Sequence, residues 1–165
     1  MRRRVGRPEE SSTVKHAKVW VHQNRKTGVN CPCCNKLVKV YKRRLYSTMA
    51  MLLIRFYRLG YDGFVHITKV IELTGLADYR CGDFAKLSYW GLIEEKSNDS
   101  TEKRTSGYWK ITDLGRDYCS GTVRIPSHVY LYHGECVGFS NELSDVNESL
   151  GVKFNYSELI ANGSN

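Results

Sequence analysis

The sequence of 165 residues contains no apolar run long enough to cross a membrane. Its longest apolar stretch, Met49–Ile54, is followed directly by Arg55. The basic start of the chain, Met1–Arg4, lacks the apolar core of a secretion signal, so we expect a cytoplasmic protein with no membrane partner. Because thiols stay reduced in the cytoplasm, we do not expect the six cysteines to form a disulfide framework.

Acidic residues are scarce in the first third of the chain. Residues 1–58 hold 15 lysines and arginines but only two acids, Glu9 and Glu10, which makes their net charge +13. Residues 59–165 hold 10 lysines and arginines against 15 acids, a net charge of −5. Positive charge gathered in one region suits a polyanion, so this distribution predicts a nucleic-acid partner. The alternative is a basic segment that only keeps the protein soluble.

Sequence motifs of catalysis are also missing. The chain has no phosphate-binding glycine loop, no HExxH zinc motif and no recognisable context for a nucleophilic serine. His66 lies within an apolar stretch, where histidine is more often packed than catalytic. We therefore predict that the protein is not an enzyme.

Cysteines are concentrated in the sequence Cys31-Pro32-Cys33-Cys34. Cys31 and Cys34 have the Cys-x-x-Cys spacing with which a turn can present two thiolates to one Zn²⁺, and the segment resembles half of a zinc ribbon. No second such pair exists, so the predicted zinc ligands are Cys31, Cys34, His22 and Cys33. His16 is a further candidate, whereas Cys119, His133 and Cys136 would require the C-terminal hairpin to fold back. A metal-free knuckle and a redox-active pair remain alternatives.

The hydrophobic pattern divides the chain into four regions. Residues 1–14 are predicted to be a disordered basic arm. Residues 15–46 are predicted to form a basic, zinc-knuckle-like ribbon with strands over 15–22 and 37–44. Residues 47–121 carry helical and strand patterns, including a helix cap at Thr112 and a helix whose apolar stripe is predicted to face the core: Met49, Leu52, Leu53, Phe56 and Tyr57. Residues 122–165 are predicted to form a β-hairpin, a short helix over 141–150 and a polar tail that frays.

Two sequence phrases carry a resemblance in the third region. Leu87-Ser88-Tyr89-Trp90-Gly91-Leu92-Ile93 ends a predicted helix over 79–90, and Ile111-Thr112-Asp113-Leu114-Gly115 opens another. Both phrases, in this order and joined by a polar loop, resemble the winged-helix (winged helix-turn-helix) family. Together with the knuckle, the chain resembles uncharacterised phage proteins, which would place it in the host-cell cytoplasm. The implied fold class is α+β: a winged helix-turn-helix core with a basic N-terminal β-hairpin or knuckle and a C-terminal β-hairpin.

Several groups of cations are candidates for contact with nucleic acid. The arm around Gly6-Arg7-Pro8 resembles an AT-hook, although Val5 stands where that motif carries an arginine. The basic strand interleaves cations with Tyr41 and Tyr46, a pattern suited to phosphate contact with base stacking. The resemblance adds the third helix and the wing of the winged helix. The predicted residues are Arg2, Arg3, Arg4, Arg7, Lys36, Lys39, Lys42, Arg43, Arg44, Arg80, Lys86, Lys103 and Arg104.

These observations predict a DNA-binding protein with a role in transcriptional regulation. The basic N-terminal segment would contact phosphates, and the winged helix would dock on the duplex. One alternative is a protein–protein interaction module that uses the acidic half of the chain and an exposed hairpin with Tyr130 and Tyr132. A further alternative is binding to RNA or single-stranded DNA.

Overall fold

The computed structural model describes residues 6–74, 83–98 and 105–161, and it is a mixed α and β structure. No helix in these ranges is long and apolar enough to span a membrane. In chain order, the elements are α1 (Val14–Asn24), β1 (Val29–Asn30), β2 (Leu37–Val38), β3 (Tyr41–Arg44), α2 (Ser47–Arg58), β4 (Val65–His66), α3 (Ile67–Thr74), a 3₁₀ helix (Ala85–Trp90), β5 (Ile93–Glu95), β6 (Tyr108–Ile111), α4 (Asp113–Cys119), β7 (Ile125–Pro126), β8 (His128–Tyr132), β9 (Glu135–Phe139), β10 (Leu143–Ser144), α5 (Val146–Leu150) and α6 (Tyr156–Ala161).

The chain forms two compact units. The first unit contains the described residues up to Arg43 together with Tyr130–Gly138. The second unit contains Arg44–Val129 and the described residues from Phe139 onward. The outer part of the C-terminal hairpin therefore belongs to the same unit as the N-terminal segment, from which it is distant in sequence.

The first unit begins with a helix where we predicted a strand. The alternation of Val19 and Val21 suggested a strand over 15–22, but this prediction is wrong, because α1 covers Val14–Asn24. The side chain of Thr13 accepts a hydrogen bond from the backbone N–H of His16 and caps the helix. Ala17 and Val21, four residues apart, are both buried. The same apolar residues thus satisfy the period of a helix as well as that of a strand.

The knuckle lies between two short antiparallel strands, β1 and β2. Their register pairs Val29 with Val38 and Asn30 with Leu37. The knuckle is closed by a hydrogen bond of 2.8 Å from the backbone N–H of Cys31 to the carbonyl of Lys36. The hairpin that we predicted around the knuckle is present, although its first strand is not the predicted one. The second strand is interrupted after residue 38 and resumes as β3.

The predicted C-terminal hairpin is present as β8 and β9. Its two turn residues, His133 and Gly134, have φ angles of +54° and +81°. Two positive φ angles in a two-residue loop are the signature of a type I′ turn, whose twist matches that of the flanking strands. In the three-stranded sheet of the order β3-β8-β9, strand β8 lies in the middle.

The second unit is built around α2. Four of the five residues predicted to face the core are at most 5% exposed, and the fifth, Tyr57, is half-buried. The three-stranded antiparallel sheet of this unit has the order β4-β6-β5. The buried residues of the stripe are Met49, Leu52, Leu53 and Phe56.

The two sequence phrases meet where β5 and α4 begin. Gly91 ends the 3₁₀ helix with a φ of +71°, a conformation that favours glycine. The hydroxyl of Thr112 donates to the carbonyl of Gly91 at 2.6 Å and accepts from the backbone N–H of Gly115 at 3.0 Å. A Cβ on Gly115 would lie 2.1 Å from the carbonyl oxygen of Leu92, so α4 packs against β5 at a distance that only glycine permits.

Three other predictions for the second unit need correction or limits. The helix predicted over 79–90 is a 3₁₀ helix in its described part, and its start lies outside the described residues. The helix predicted over 141–150 is shorter and begins after Asp145, which forms a capping box with Glu148. The tail does not fray throughout, because α6 forms and the hydroxyl of Tyr156 donates to the carbonyl of Cys119 at 2.7 Å.

Candidate nucleic-acid interface

The positive charge of the protein lies in the first unit. The sequence of this unit holds 12 lysines and arginines against three acids, a net charge of +9. The second unit holds 13 against 14, a net charge of −1. The two units differ far more in charge than in their number of cations, because nearly all acidic residues belong to the second unit.

The ion pairs show the same division. Every ion pair found among residues 6–74, 83–98 and 105–161 lies in the second unit. The described lysines and arginines of the first unit therefore have no carboxylate within ion-pair distance. The Lys and Arg pairs of the second unit are Lys86–Asp83 at 2.5 Å, Lys110–Glu94 at 2.6 Å, Arg116–Asp62 at 2.9 Å and Arg124–Glu148 at 2.7 Å.

Two of the unpaired cations flank an exposed aromatic ring. Tyr41 is 40% exposed, on a strand whose four residues are all exposed. The Nζ atom of Lys39 lies 5.2 Å from the centre of the Tyr41 ring, and the guanidinium carbon of Arg43 lies 5.7 Å from it. Both distances are within the range of a cation–π interaction. This part of the chain presents an aromatic face and two positive charges at one place.

A second aromatic cluster lies on the C-terminal hairpin of the same unit. The guanidinium carbon of Arg25 lies 5.5 Å from the centre of the Tyr132 ring. The rings of His22 and His133 make edge contacts with Tyr132, with centroid distances of 6.2 Å and 4.2 Å. The guanidinium of Arg25 also donates to the carbonyl of His22. The hairpin thus adds an aromatic side chain with a cation beside it.

A groove of about 280 Å³ runs between these two groups and lies wholly within the first unit. Leu37 is 52% exposed at its margin, so apolar surface is accessible there. Its lining includes Leu37, Lys39, Tyr41, Arg43, Tyr132 and His133. We call this feature the Tyr41 groove.

The predicted nucleic-acid residues divide into three sets. Those of the basic strand and the described part of the arm are exposed: Arg7, Lys36, Lys39, Lys42, Arg43 and Arg44. Lys86 is exposed but forms the ion pair with Asp83. The remaining ones lie outside the described residues: Arg2, Arg3, Arg4, Arg80, Lys103 and Arg104.

The knuckle holds its first cysteine in a thiolate-stabilising environment. The backbone N–H groups of Cys33 and Cys34 donate to the sulfur of Cys31 and lower the pKa of that thiol. Partial desolvation, followed by the charge of Cys31, raises the pKa of the Cys33 thiol. The described cysteines, including Cys119 and Cys136, are all free thiols.

Sulfur and imidazole donors are the ones that zinc prefers, and four of them line one cavity of about 440 Å³. They are His22, Cys31, Cys33 and His133. Because His133 lines the same cavity as the knuckle cysteines, the C-terminal hairpin does fold back to them, as a zinc ligand on the hairpin would require. The described residues nevertheless contain no group of three or more His, Cys, Asp or Glu arranged to hold a metal ion. The types of donor atom fit zinc, but their arrangement in this structure does not form a metal site. Zinc binding therefore stays a prediction.

Sequence reasoning missed the hairpin side of the groove. Arg25, Tyr132 and His133 were not predicted to meet the basic strand, since no local pattern links residues so distant in the chain. Tyr130 and Tyr132 were predicted to be exposed, but both are half-buried. The hairpin therefore gives less support to a protein partner, for which the acidic half of the chain was the other reason.

Comparison of the chain with protein-family models, with curated proteins and with solved structures finds no match. Its function is therefore argued from the charge, the exposed side chains and the groove alone.

Proposed function

We propose that this protein binds nucleic acid through the cations of its first unit. The observation that carries the proposal is that the described lysines and arginines of this unit have no carboxylate partner, whereas four cations of the second unit do. A phosphate backbone would supply the missing negative charge and release its own counterions. The exposed cations of the first unit on and beside the basic strand are Lys36, Lys39, Lys42 and Arg43, and Arg44 follows them as the first residue of the second unit.

The magnitudes favour the unpaired cations. Each cation that replaces a counterion on duplex DNA changes the slope of log affinity against log salt by about 0.9. A cation already held by a carboxylate, such as Lys86 with Asp83, must first give up a contact of up to ~1 kcal/mol and leave that carboxylate near the phosphates. The second unit is therefore a weaker source of affinity than the first.

We also propose that the second unit is a winged helix. The elements from α2 to α4 follow the order of that fold, and the sheet order β4-β6-β5 supports it. In this proposal the winged helix docks on DNA in a regulatory role, and the first unit supplies most of the electrostatic attraction.

The test compares two triple variants of the full chain. The first replaces Lys36, Lys39 and Lys42 with Gln. The second replaces three exposed lysines of the second unit with Gln and so changes the net charge by the same amount. Binding to a labelled 30-base-pair duplex is followed by fluorescence anisotropy between 50 and 200 mM salt. The control lysines are Lys69, Lys86 and Lys153.

We expect the first variant to bind at least about tenfold more weakly at 100 mM salt and to lose up to about 2.7 from its salt slope. The second variant should bind nearly as well as the original protein. Equal weakening in both variants would mean that only total charge matters. Wild-type binding that does not respond to salt would overturn the proposal altogether.

A further inference from the structure

The Tyr41 groove contains aromatic side chains, which binding to the phosphates of duplex DNA does not require. Phosphates need only cations, but the groove adds an exposed ring, Tyr41, and a half-buried ring, Tyr132, within one concave surface. In a duplex the base faces are covered by neighbouring base pairs, whereas in a single strand they are free to stack on aromatic side chains. An exposed ring beside cations without carboxylate partners therefore matches a single strand better than a duplex.

We propose that the Tyr41 groove binds a short single-stranded stretch of nucleic acid, with a base stacked on Tyr41 and the flanking phosphates held by Lys39 and Arg43. The inference rests on the proposed nucleic-acid binding and names the kind of strand that the first unit receives. At about 280 Å³ the groove is slightly smaller than typical small-molecule pockets of ~300–1,000 Å³, so it admits base-sized groups.

The two cations now beside the ring do not prevent stacking. Each cation–π contact at an exposed site is weak compared with the stacking of a base on an aromatic ring, which alanine substitutions show to be the stronger interaction. Lys39 and Arg43 have long side chains on exposed positions, so they can leave the ring for a phosphate when a base arrives. The exchange replaces two weak contacts with one stacking contact and two charge contacts.

The hairpin supplies the other wall of the groove. Tyr132 lies between His133 and Arg25, whose guanidinium carbon is 5.5 Å from the ring centre. Arg25 has no carboxylate partner among the described residues and lies over the Tyr132 ring, outside the groove's lining. The lysine and the arginine that line the groove, Lys39 and Arg43, both lie on the side of the basic strand, and Glu135, the acid that the hairpin contributes to this unit, is not among the groove's lining residues.

The test uses the full chain and a Tyr41→Leu variant. The probes are a labelled 15-nucleotide oligothymidine, the matching oligouridine and a 15-base-pair duplex, each measured by anisotropy at 100 mM salt. We expect Tyr41→Leu to lower affinity for the single strands by about 5- to 150-fold, the range for one stacked base. Affinity for the duplex should change by less than about twofold, since the substitution removes no charge.

Two controls separate stacking from loss of structure. Tyr41→Phe keeps the ring and should bind single strands almost as well as the original protein. Tyr61→Leu removes another exposed tyrosine, 41% exposed and in the second unit, and should have no effect. Equal binding of both single strands would indicate stacking and charge alone, and stronger binding of oligouridine would add recognition of the ribose hydroxyl.

The outcomes distinguish this inference from the proposed function. If Tyr41→Leu weakens binding of the duplex and of the single strands equally, or weakens neither, the proposal of base stacking in the groove is wrong. The proposal of charge-driven binding through the lysines then still stands. If no probe binds the wild-type chain, both proposals fail.

Discussion

Replacement of Gly115 by Ala tests the packing of α4 on β5. A Cβ at this position would lie 2.1 Å from the carbonyl oxygen of Leu92, well inside the 3.0 Å below which real contacts of this kind essentially never fall. The obstacle is backbone, so no side-chain rotation relieves it, and α4 must move away from β5. That movement also strains Thr112, whose hydroxyl joins Gly91 to Gly115 and whose N–H donates to Leu92 at 3.1 Å.

The size of the effect follows from three terms. Forcing extra volume into a packed contact costs about 1–3 kcal/mol, and weakening a helix cap costs about 0.5–2 kcal/mol. Against these, Ala in a helix is better than Gly by up to about 1 kcal/mol. The central values of these ranges predict that Gly115→Ala lowers the free energy of unfolding by about 2–3 kcal/mol. Without the clash, the same substitution would raise it.

Urea unfolding followed by tryptophan fluorescence is the appropriate assay. Trp90 and Trp109 are both 5% exposed and lie in the second unit, so their emission reports its unfolding. Gly63→Ala is the matched control, because a Cβ there meets nothing within 4 Å and its φ is not positive. A Gly115→Ala variant that is as stable as the original protein within about 0.5 kcal/mol would refute the close approach.

Two further predictions concern the interior of the second unit. Tyr118→Phe should lower the free energy of unfolding by about 1–2 kcal/mol, because the buried tyrosine hydroxyl donates to Ser149 at 2.6 Å; Tyr46→Phe, at an exposed site, should not change it. Burial raises the pKa of Cys119 to about 12 from a reference of 9.0, so between these values the unfolded chain loses the proton first and stability falls as the pH rises. From pH 9 to 10 this thiol should remove about 1 kcal/mol, and Cys119→Ala should show a shallower decline in urea unfolding at the same pH values. Identical declines would contradict the burial of the thiol.

Local patterns were sufficient for much of the second unit. The apolar stripe of α2, the cap at Thr112 and the stop at Gly91 are written in neighbouring residues, and each was predicted correctly. Helix caps and amphipathic periods depend on side chains within a few positions of one another, so they can be recognised before any tertiary contact is known.

The N-terminal helix shows where local patterns fail. Residues 15–22 contain apolar residues at spacings of both two and four, and the sequence cannot tell which period is used. The choice was made by burial: Ala17 and Val21 share one buried face, while Val19 is 40% exposed. Only the surroundings of the segment determine which of these residues are covered.

The candidate interface also has features that the sequence determines and features that depend on the fold. The sequence by itself determined that the cations are concentrated near the start of the chain and that Lys39, Tyr41 and Arg43 alternate along one segment. Only the tertiary structure decided that Tyr132 and Arg25 lie in the same unit as that segment, and that four lysines and arginines of the second unit are paired with acids. Composition and spacing are properties of neighbours in the chain, but ion pairing and groove formation depend on contacts between distant segments, which form only when the chain folds.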